Sequence, residues 1–191
     1  MDEHELGRAL LTIARSAIGT HFGFSSAADA SHAALAQPAA TFVTLRRMGE
    51  LRGCIGSLEP IRPLGVDVRE NALAAAFRDP RFAPLDVSEF DATSVEVSLL
   101  SASVRLDVAD EEDLVARLCP GADGVILEFG GRRATFLPQV WESNPDPRGF
   151  LAALKRKAGL SEAFWSRRIN VSRYRVSKWA EREFAVIETQ R

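Results

Sequence analysis

The chain has 191 residues, of which 46% are hydrophobic and 26% charged, and its formal net charge is -2 at pH 7. These values are ordinary for a globular protein, and they argue against a disordered chain, a membrane protein or a strongly basic nucleic-acid-binding domain. The acidic N-terminus does not resemble a secretory signal, and no apolar run reaches the roughly 18 residues of a spanning helix, which predicts a cytoplasmic protein outside the membrane.

Apolar residues at helical spacing predict an amphipathic helix over residues 3–19 that ends near Gly19. Residues 20–40 are rich in Ala and Ser, and they are interpreted as a loop with a short helical piece. Two β-rich runs follow, "TFVTLRR" and "LRGCIGS", and the short "MGE" between them predicts a hairpin.

The register of this hairpin decides which side chains share a face. A three-residue loop of Met48, Gly49 and Glu50 places Arg47 opposite Leu51. One face then carries apolar residues and glycine, and the other carries polar residues; the apolar set is Val43, Leu45, Gly53 and Ile55, and the polar set is Thr44, Arg46, Arg52 and Cys54. A two-residue loop would mix the sets, so the three-residue loop is predicted.

The rest of the chain alternates helices and hairpins. "PLGVDVRENALAAAFRD" predicts a helix on the hairpin's apolar face, "DPRFAPLDVSEFD" a loop, "TSVEVSLLSA" a strand and "DEEDLVARL" a helix. "GVILEF", "GG" and "RRATFL" predict a second hairpin, "DPRGFLAALKRKAGL" a helix stopped by Gly159, and "INVSRYRV" a strand. The absence of a regular βαβ pattern predicts an α+β fold with mostly antiparallel sheets and flanking helices. Hairpin-centred halves at about 41–101 and 121–191 predict two subdomains around a shared cleft, within one domain over residues 1–191.

Cys54 is the main candidate for chemistry because Gly53 and Gly56 flank it and Arg52 lies two residues before it. Residues two apart on a strand share a face, so Arg52 is expected to lean over the thiol and favour its ionised form, with Arg46 acting in the same direction. Glycine in a strand often marks the close approach of a ligand or of another backbone. The alternative is a small buried hydrophobe, as free cysteines commonly are.

Other candidates stay open between two interpretations. Asp79 and Arg81 in "RDPRFAPL" form either a rigid binding loop or an ordinary turn, and Glu96 is either a buried carboxylate with an arginine partner or a solvated residue. Cys119 is expected to be structural. The two cysteines have no partner at metal-site spacing, and the three histidines all lie in the first 32 residues, so the sequence predicts no metal site and no cofactor of its own.

The segment from Arg148 to Trp179 is strongly basic, with nine cationic residues and one acidic residue, Glu162. Its net charge of +8 against -2 for the whole chain leaves -10 on the remainder. Aromatic residues are interleaved, so nucleic-acid binding is possible, and neutralisation by the acidic remainder is the alternative.

Several blocks in order, "LRGCIG", "NALAAAFRDPRFAPL", "VEVSLLS", "ATFLPQVWE" and "LKRKAGL", resemble the AMMECR-type domain family from about Phe42 to Tyr174. "TFLPQVWE" is similar to the bacterial branch, component A of the AmmeMemoRadiSam system. The resemblance implies a two-subdomain α+β fold and an association with a Memo-like protein and a radical S-adenosylmethionine enzyme. It also implies that the "LRGCIG" hexamer, Leu51 to Gly56, marks a functional surface.

Together the residues and the resemblance predict a cleft at the LRGCIG motif that binds a small anionic or thiol-reactive ligand, with Cys54 as the candidate nucleophile. The residues expected to surround Cys54 lie in the blocks that resemble the family: Arg52, Gly53, Gly56, Asp79, Arg81, Gln139, Trp141 and Lys157. A non-catalytic protein adaptor and an RNA-binding protein acting through residues 148–179 are the alternatives.

Overall fold

The structure is a computed structural model that describes residues 3–25 and 32–182. The chain divides into two compact units, unit 1 with Met1–Leu100 and Ser177–Arg191, and unit 2 with Ser101–Val176. Each unit combines helices with an antiparallel sheet, which confirms the predicted α+β class. Within the described ranges, no helix combines the length and the apolar character needed to cross a membrane.

The helices are α1 (Glu3–His21), α2 (Leu64–Phe77), α3 (Glu111–Arg117) and α4 (Pro147–Lys157), with 3-10 helices at Ala33–Ala36, Val87–Glu89 and Pro138–Glu142. The strands are β1 (Pro38–Arg47), β2 (Glu50–Gly56), β3 (Arg62–Pro63), β4 (Thr93–Leu100), β5 (Val104–Leu106), β6 (Gly124–Phe129), β7 (Arg132–Phe136), β8 (Asn170–Tyr174) and β9 (Val176–Ala180). All four predicted helices are confirmed. In the predicted loop over 20–40, residues 26–31 lie outside the described residues, and β1 already begins at Pro38.

Unit 1 is a sheet in the order β2-β1-β4-β9, with β3 paired to the start of β1. Helices α1 and α2 pack on one face of it, where the side chains of Val43, Leu45, Val95 and Val97 are fully buried. These are alternate residues of two neighbouring strands, as the period of two in a strand requires. The predicted packing of α2 on the apolar face of the hairpin is therefore confirmed.

In the first hairpin Val43, Leu45 and Gly53 are buried and Thr44 lies opposite Cys54, as predicted, but the turn differs from the prediction. The turn contains two residues, Met48 and Gly49, whose φ angles are 54° and 90°, and Arg47 lies opposite Glu50. The register shifts between Leu45 and Arg46, so Arg52 is the extra residue of a β-bulge. The predicted three-residue loop is wrong, but beyond the bulge Leu45 lies opposite Gly53, as that loop required.

Unit 2 is a second sheet in the order β5-β8-β6-β7, with α3 and α4 packed on one face. Leu114 of α3 and Leu154 of α4 are fully buried with Leu127 of β6. The predicted "GG" turn is confirmed, because Gly130 and Gly131 join β6 to β7 with φ angles of 57° and 79°. Positive φ at both positions is typical of the two-residue turn that matches the twist of a hairpin.

The strand predicted for "INVSRYRV" is two strands. β8 belongs to the sheet of unit 2 and β9 to the sheet of unit 1. Between them lies Arg175, whose backbone N–H donates to Ser101 Oγ and whose carbonyl accepts from the Ser101 N–H. These two bonds take the place of a ladder partner, and the chain changes sheet at this residue.

Candidate functional site

Strand β2 is at an edge of its sheet, and a loop from the end of α2 covers the edge at Cys54. The backbone N–H of Cys54 donates to Asp79 Oδ2 at 2.8 Å, and its carbonyl accepts from Arg81 Nη2 at 3.1 Å. Both backbone polar groups that face away from β1 are thus satisfied by side chains. The "RDPRF" loop, which the sequence left open between a turn and a binding loop, is bound directly to the LRGCIG motif.

Asp79 and Arg81 also bind each other. Arg81 Nε and Nη2 donate to the two carboxylate oxygens of Asp79 at 2.9 and 2.7 Å, a two-pronged pair with strong geometry. Hydrogen bonding from Arg81, joined by the backbone N–H groups of Cys54 and Arg81, lowers the pKa of Asp79 well below its usual range. The Asp79 side chain is 2% exposed while the Arg81 side chain is 52% exposed, so the exposed member of this ion pair beside Cys54 is the cation.

The guanidinium of Arg52 is occupied elsewhere. It makes two hydrogen bonds to the carboxylate of Glu89, at 3.1 and 2.8 Å, and donates to the carbonyls of Ala83 and Pro84. Hydrogen bonding from Arg52 lowers the pKa of Glu89 to about 2. The sequence placed Arg52 at the thiol, but the cation that contacts Cys54 is Arg81. Glu89 was missed because it lies 37 residues from Arg52 and had only the pattern of a helix cap, which it also forms with Asp86.

The two glycines of the motif are explained by contacts within the chain. A Cβ at Gly53 would lie 2.2 Å from the carbonyl oxygen of Ala75 in α2. A Cβ at Gly56 would lie 2.3 Å from the ring of Phe42 and 2.5 Å from the carbonyl oxygen of Thr41. The sequence allowed either a ligand or another part of the chain to approach these glycines closely. In the structure, the protein's own backbone and side chains do so.

The Cys54 side chain lies on the sheet face opposite the helices. Thr44 is its cross-strand neighbour, and Thr44 Oγ1 is 3.3 Å from Cys54 Sγ. Thr44 also lies opposite Glu96 of β4, so the thiol, the hydroxyl and the carboxylate form one row across three strands. The thiol is only partly buried.

Of the two interpretations offered by the sequence, the structure favours a paired and partly buried carboxylate for Glu96. Its side chain is 14% exposed and binds Arg46 at 2.9 Å and Lys178 of β9 at 2.7 Å. Burial pushes its pKa upward most strongly, but Lys178 and Arg46 outweigh that effect and hold the pKa below its ordinary value. The polar face therefore combines one carboxylate with two cations.

The remaining predicted residues belong to unit 2, where their contacts are local. Trp141 is 3% exposed, stacks on Phe150 at 3.7 Å and donates to the Asp123 carbonyl, so it is a core residue. Lys157 donates to the Thr135 carbonyl, and Gln139 is exposed. Convergence of Trp141, Gln139 and Lys157 on Cys54 stays a prediction.

Cys119, expected to be structural, is exposed just after α3. Its backbone N–H donates to the buried carboxylate of Asp123, and this bond holds the main chain rather than the thiol. In the described ranges 3–25 and 32–182, no group of three or more His, Cys, Asp or Glu side chains is placed to hold a metal ion.

The basic segment is partly neutralised within the chain. Of its nine cationic residues, six have a carboxylate within ion-pair distance: Arg148, Lys155, Arg156, Arg173, Arg175 and Lys178. Lys155 is fully buried and binds Glu111 at 2.9 Å. The pairing favours the neutralisation that the sequence offered as the alternative to nucleic-acid binding.

A sequence profile of the AMMECR1 family matches residues 11–179. The chain belongs to the AMMECR1 family. A relative from Methanothermobacter thermautotrophicus is 38% identical over 180 residues, which cover 92% of this chain and 94% of that protein. Protein MJ0810 of Methanocaldococcus jannaschii is 43% identical over 117 residues, 61% of this chain and 58% of that protein.

The AMMECR1 fold of the chain is shared by a solved structure. The crystal structure of the uncharacterized protein PH0010 from Pyrococcus horikoshii matches with a TM-score of 0.76 and 32% identity, and the match covers 93% of this chain and 92% of that one. Both units are therefore parts of one family fold. The resemblance noted from the LRGCIG block and its companions is confirmed.

Proposed function

We propose that the protein is a cytoplasmic binding component whose polar sheet face at Cys54 takes a small anionic or thiol-reactive ligand, with Cys54 as nucleophile or transient covalent carrier. One observation carries the proposal: Asp79 and Arg81 hold both outward backbone groups of Cys54. A reactive group fixed in this way loses little conformational freedom when a ligand binds.

The charges around the thiol define the ligand class. Arg81 is half exposed and its guanidinium contacts the Cys54 backbone, while Arg46 and Lys178 lie further along the same face. These cations attract negative charge, which favours an anionic ligand at the thiol. We assign to Arg81 the role at the thiol that the sequence gave to Arg52, because the Arg81 guanidinium contacts Cys54, whereas that of Arg52 is bound to Glu89 and to the carbonyls of Ala83 and Pro84.

Alkylation kinetics test this proposal. In a Cys119→Ser background only Cys54 can react, and the anionic reagent iodoacetate is compared with the neutral reagent iodoacetamide over a range of pH. Arg81→Gln should lower the rate with iodoacetate more than the rate with iodoacetamide, since only the former is attracted by the guanidinium. Arg69→Gln, on the exposed side of α2, is the matched control and should change neither rate.

Two results would contradict the proposal. A Cys54 that neither reagent modifies in the folded protein would mean that the thiol is inaccessible. An iodoacetate preference that survives Arg81→Gln would mean that this guanidinium does not act on the thiol or its ligand. Once a turnover assay exists, Cys54→Ser should abolish turnover, and retained turnover would reject the nucleophile role.

The partners in this proposal come from the resemblance to the AmmeMemoRadiSam branch, and they are a Memo-like protein and a radical S-adenosylmethionine enzyme. Co-purification of the three proteins, tagged in turn, tests the association. If none of the three tagged proteins retains another, the partnership is rejected, while the alkylation experiment still tests the ligand site on its own.

A non-catalytic adaptor is the second candidate, and one observation favours it. Arg52, Asp79 and both glycines of the motif make contacts within the chain that give this surface a fixed shape. At the tip of the β1–β2 hairpin, Met48 is 87% exposed and Leu51 is 38% exposed. A pull-down of the Memo-like protein and the radical enzyme that survives Cys54→Ala but fails with Met48→Asp would support the adaptor. Met48→Asp is preferred to Arg52→Glu, because a glutamate at position 52 would repel Glu89 and disturb the loop.

RNA binding through residues 148–179 is the third candidate carried over from the sequence. Its affinity should fall steeply with salt, since phosphate contacts release counterions. Six cations of the segment are paired with carboxylates of the chain, five of them with carboxylates outside the segment, and this pairing reduces the free positive charge available for RNA. Binding that is absent or insensitive to salt would remove this candidate.

A further inference from the structure

We propose a second binding site, in unit 2, where the tip of the β6–β7 hairpin takes the phosphate group of a small phosphorylated molecule. A concavity of about 350 Å³ lies at this tip. Its lining contains three arginines, the two turn glycines and one side-chain amide: Arg132, Arg133, Arg168, Gly130, Gly131 and Asn170. The site shares no residue with the Cys54 face, so it stands or falls separately from the function proposed above.

The charge of this lining is positive. Glu128 is the one carboxylate among its described lining residues, and Arg133 binds it at 3.1 Å. Arg132 donates to the carbonyl of Gly159, which carries no charge. Over residues 3–25 and 32–182, Arg168 has no carboxylate within ion-pair distance. Among the residues that the structure describes, Arg132 and Arg168 thus have no carboxylate partner at this concave surface, where an anion can replace the lost hydration with charge-assisted hydrogen bonds.

The geometry of the tip restricts the site. Arg168 lies over the ring of Phe129 at 5.9 Å, and Phe129 packs against Phe164 with ring centroids 4.8 Å apart. A planar guanidinium stacked on an aromatic ring loses less rotational freedom when it binds an anion. Within the described part of the chain, the N–H groups of Gly130 and Gly131 donate to no backbone carbonyl, and successive amides of such a turn can bind an anion.

The organic part of the ligand has a place beside the phosphate. A second concavity of about 410 Å³ adjoins the first and shares Phe129, Gly130 and Arg132 with it. Its other walls include Leu160 and Phe164, which supply apolar surface. A phosphate group has oxygens on several sides, so it can accept hydrogen bonds from the arginines and the turn amides at the same time. The adjacent apolar wall suits a phosphate ester with a compact organic group, such as a nucleoside monophosphate.

The test is a titration of the full-length, 15N-labelled protein with three probes at constant ionic strength: inorganic phosphate, pyrophosphate and 5′-AMP. The amide signals of Gly130 and Gly131 should shift and saturate, and 5′-AMP should bind several-fold tighter than inorganic phosphate. Arg168→Gln and Arg132→Gln should each weaken binding about tenfold or more. The control Arg148→Gln removes an exposed arginine of the same unit that pairs with Glu112, and it should leave binding unchanged.

Several outcomes would overturn the proposal. No saturable shift with any probe up to roughly 20 mM would mean that no phosphate site exists at this tip. An equal loss of affinity with Arg148→Gln would mean that binding depends only on the net charge of the protein and not on this site. Saturation by a single-stranded oligoribonucleotide, with no response to 5′-AMP, would assign the surface to nucleic acid instead. Arg168→Gln keeps the contact of Arg132 with Gly159, so a folding defect in Arg132→Gln leaves one interpretable variant.

Discussion

Replacing Gly53 with alanine tests why the motif contains glycine beside Cys54. The new Cβ would lie 2.2 Å from the Ala75 carbonyl oxygen, whereas ordinary contacts begin at 3.4 Å, so α2 or β2 must retreat by about 1.2 Å. The obstacle is a backbone carbonyl, which cannot rotate away as a side chain can. We therefore expect the upper part of the usual range for overpacking, a loss of about 3 kcal/mol in the free energy of unfolding.

Urea unfolding followed by circular dichroism measures this loss, and the midpoint should fall by about 1.5 M. The control is Gly65→Ala, in α2, where the new Cβ would make only ordinary van der Waals contacts, with Leu35 Cβ at 3.6 Å, the Leu35 carbonyl oxygen at 3.7 Å and Ile13 Cδ1 at 3.8 Å. Gly65 is the second residue of α2, where alanine gains less over glycine than in the middle of a helix, so this variant should be unchanged or more stable by less than about 1 kcal/mol. If Gly53→Ala were as stable as the parent, close packing on α2 would not explain the glycine, and ligand approach would return as its reason.

Three further predictions concern the polar contacts. The pKa of Glu89 is lowered to about 2 in the folded state, so its contribution is complete above its ordinary pKa of 4.5 and is lost as the pH falls through about 2. Glu89→Gln should therefore lower the free energy of unfolding by about 1 to 2 kcal/mol at pH 7, allowing for solvent screening. Urea unfolding at several pH values should show this loss shrinking between about pH 5 and 2, and a loss that does not change with pH would contradict the pairing. Asp79→Ala should speed hydrogen exchange of the Cys54 amide about tenfold or more in NMR, and an unchanged rate would mean that the loop does not hold the strand. Lys155→Met should lower the free energy of unfolding by less than about 1 kcal/mol, because the partner Glu111 is partly exposed and stays hydrated. Lys155→Ala leaves a cavity and should lower it by about 2 to 4 kcal/mol in thermal or urea unfolding; equal losses would refute this account.

The sequence predicted the helices and the faces of the first hairpin because both follow from local periodicity. Val43 and Leu45 alternate with Thr44 and Arg46, and this alternation survives the bulge that the sequence could not show. The turn was mispredicted because Met48 adopts positive φ, which is uncommon outside glycine, asparagine and aspartate.

The partners of the site could not be predicted in the same way, since they are set by tertiary contacts. Arg52 lies two residues before Cys54 in the strand, which suits an active-site cation. Nothing near Arg52 in the sequence indicates that Glu89 is its partner. Lys178 reaches Glu96 only because the chain changes sheet at Arg175, and the sequence presents that region as one continuous strand. Periodicity cannot reveal which sheet a strand joins.

The bonds from Asp79 and Arg81 to Cys54 also bear on self-association. An edge strand with free N–H and C=O groups is a template on which a second chain can add a strand, the first step towards aggregation. Here the two groups at the centre of β2 are already bonded to side chains of a loop, so an incoming strand would have to displace a charged pair before it could dock. The same contacts that hold the cysteine in place keep this edge of the sheet closed to other molecules of the protein.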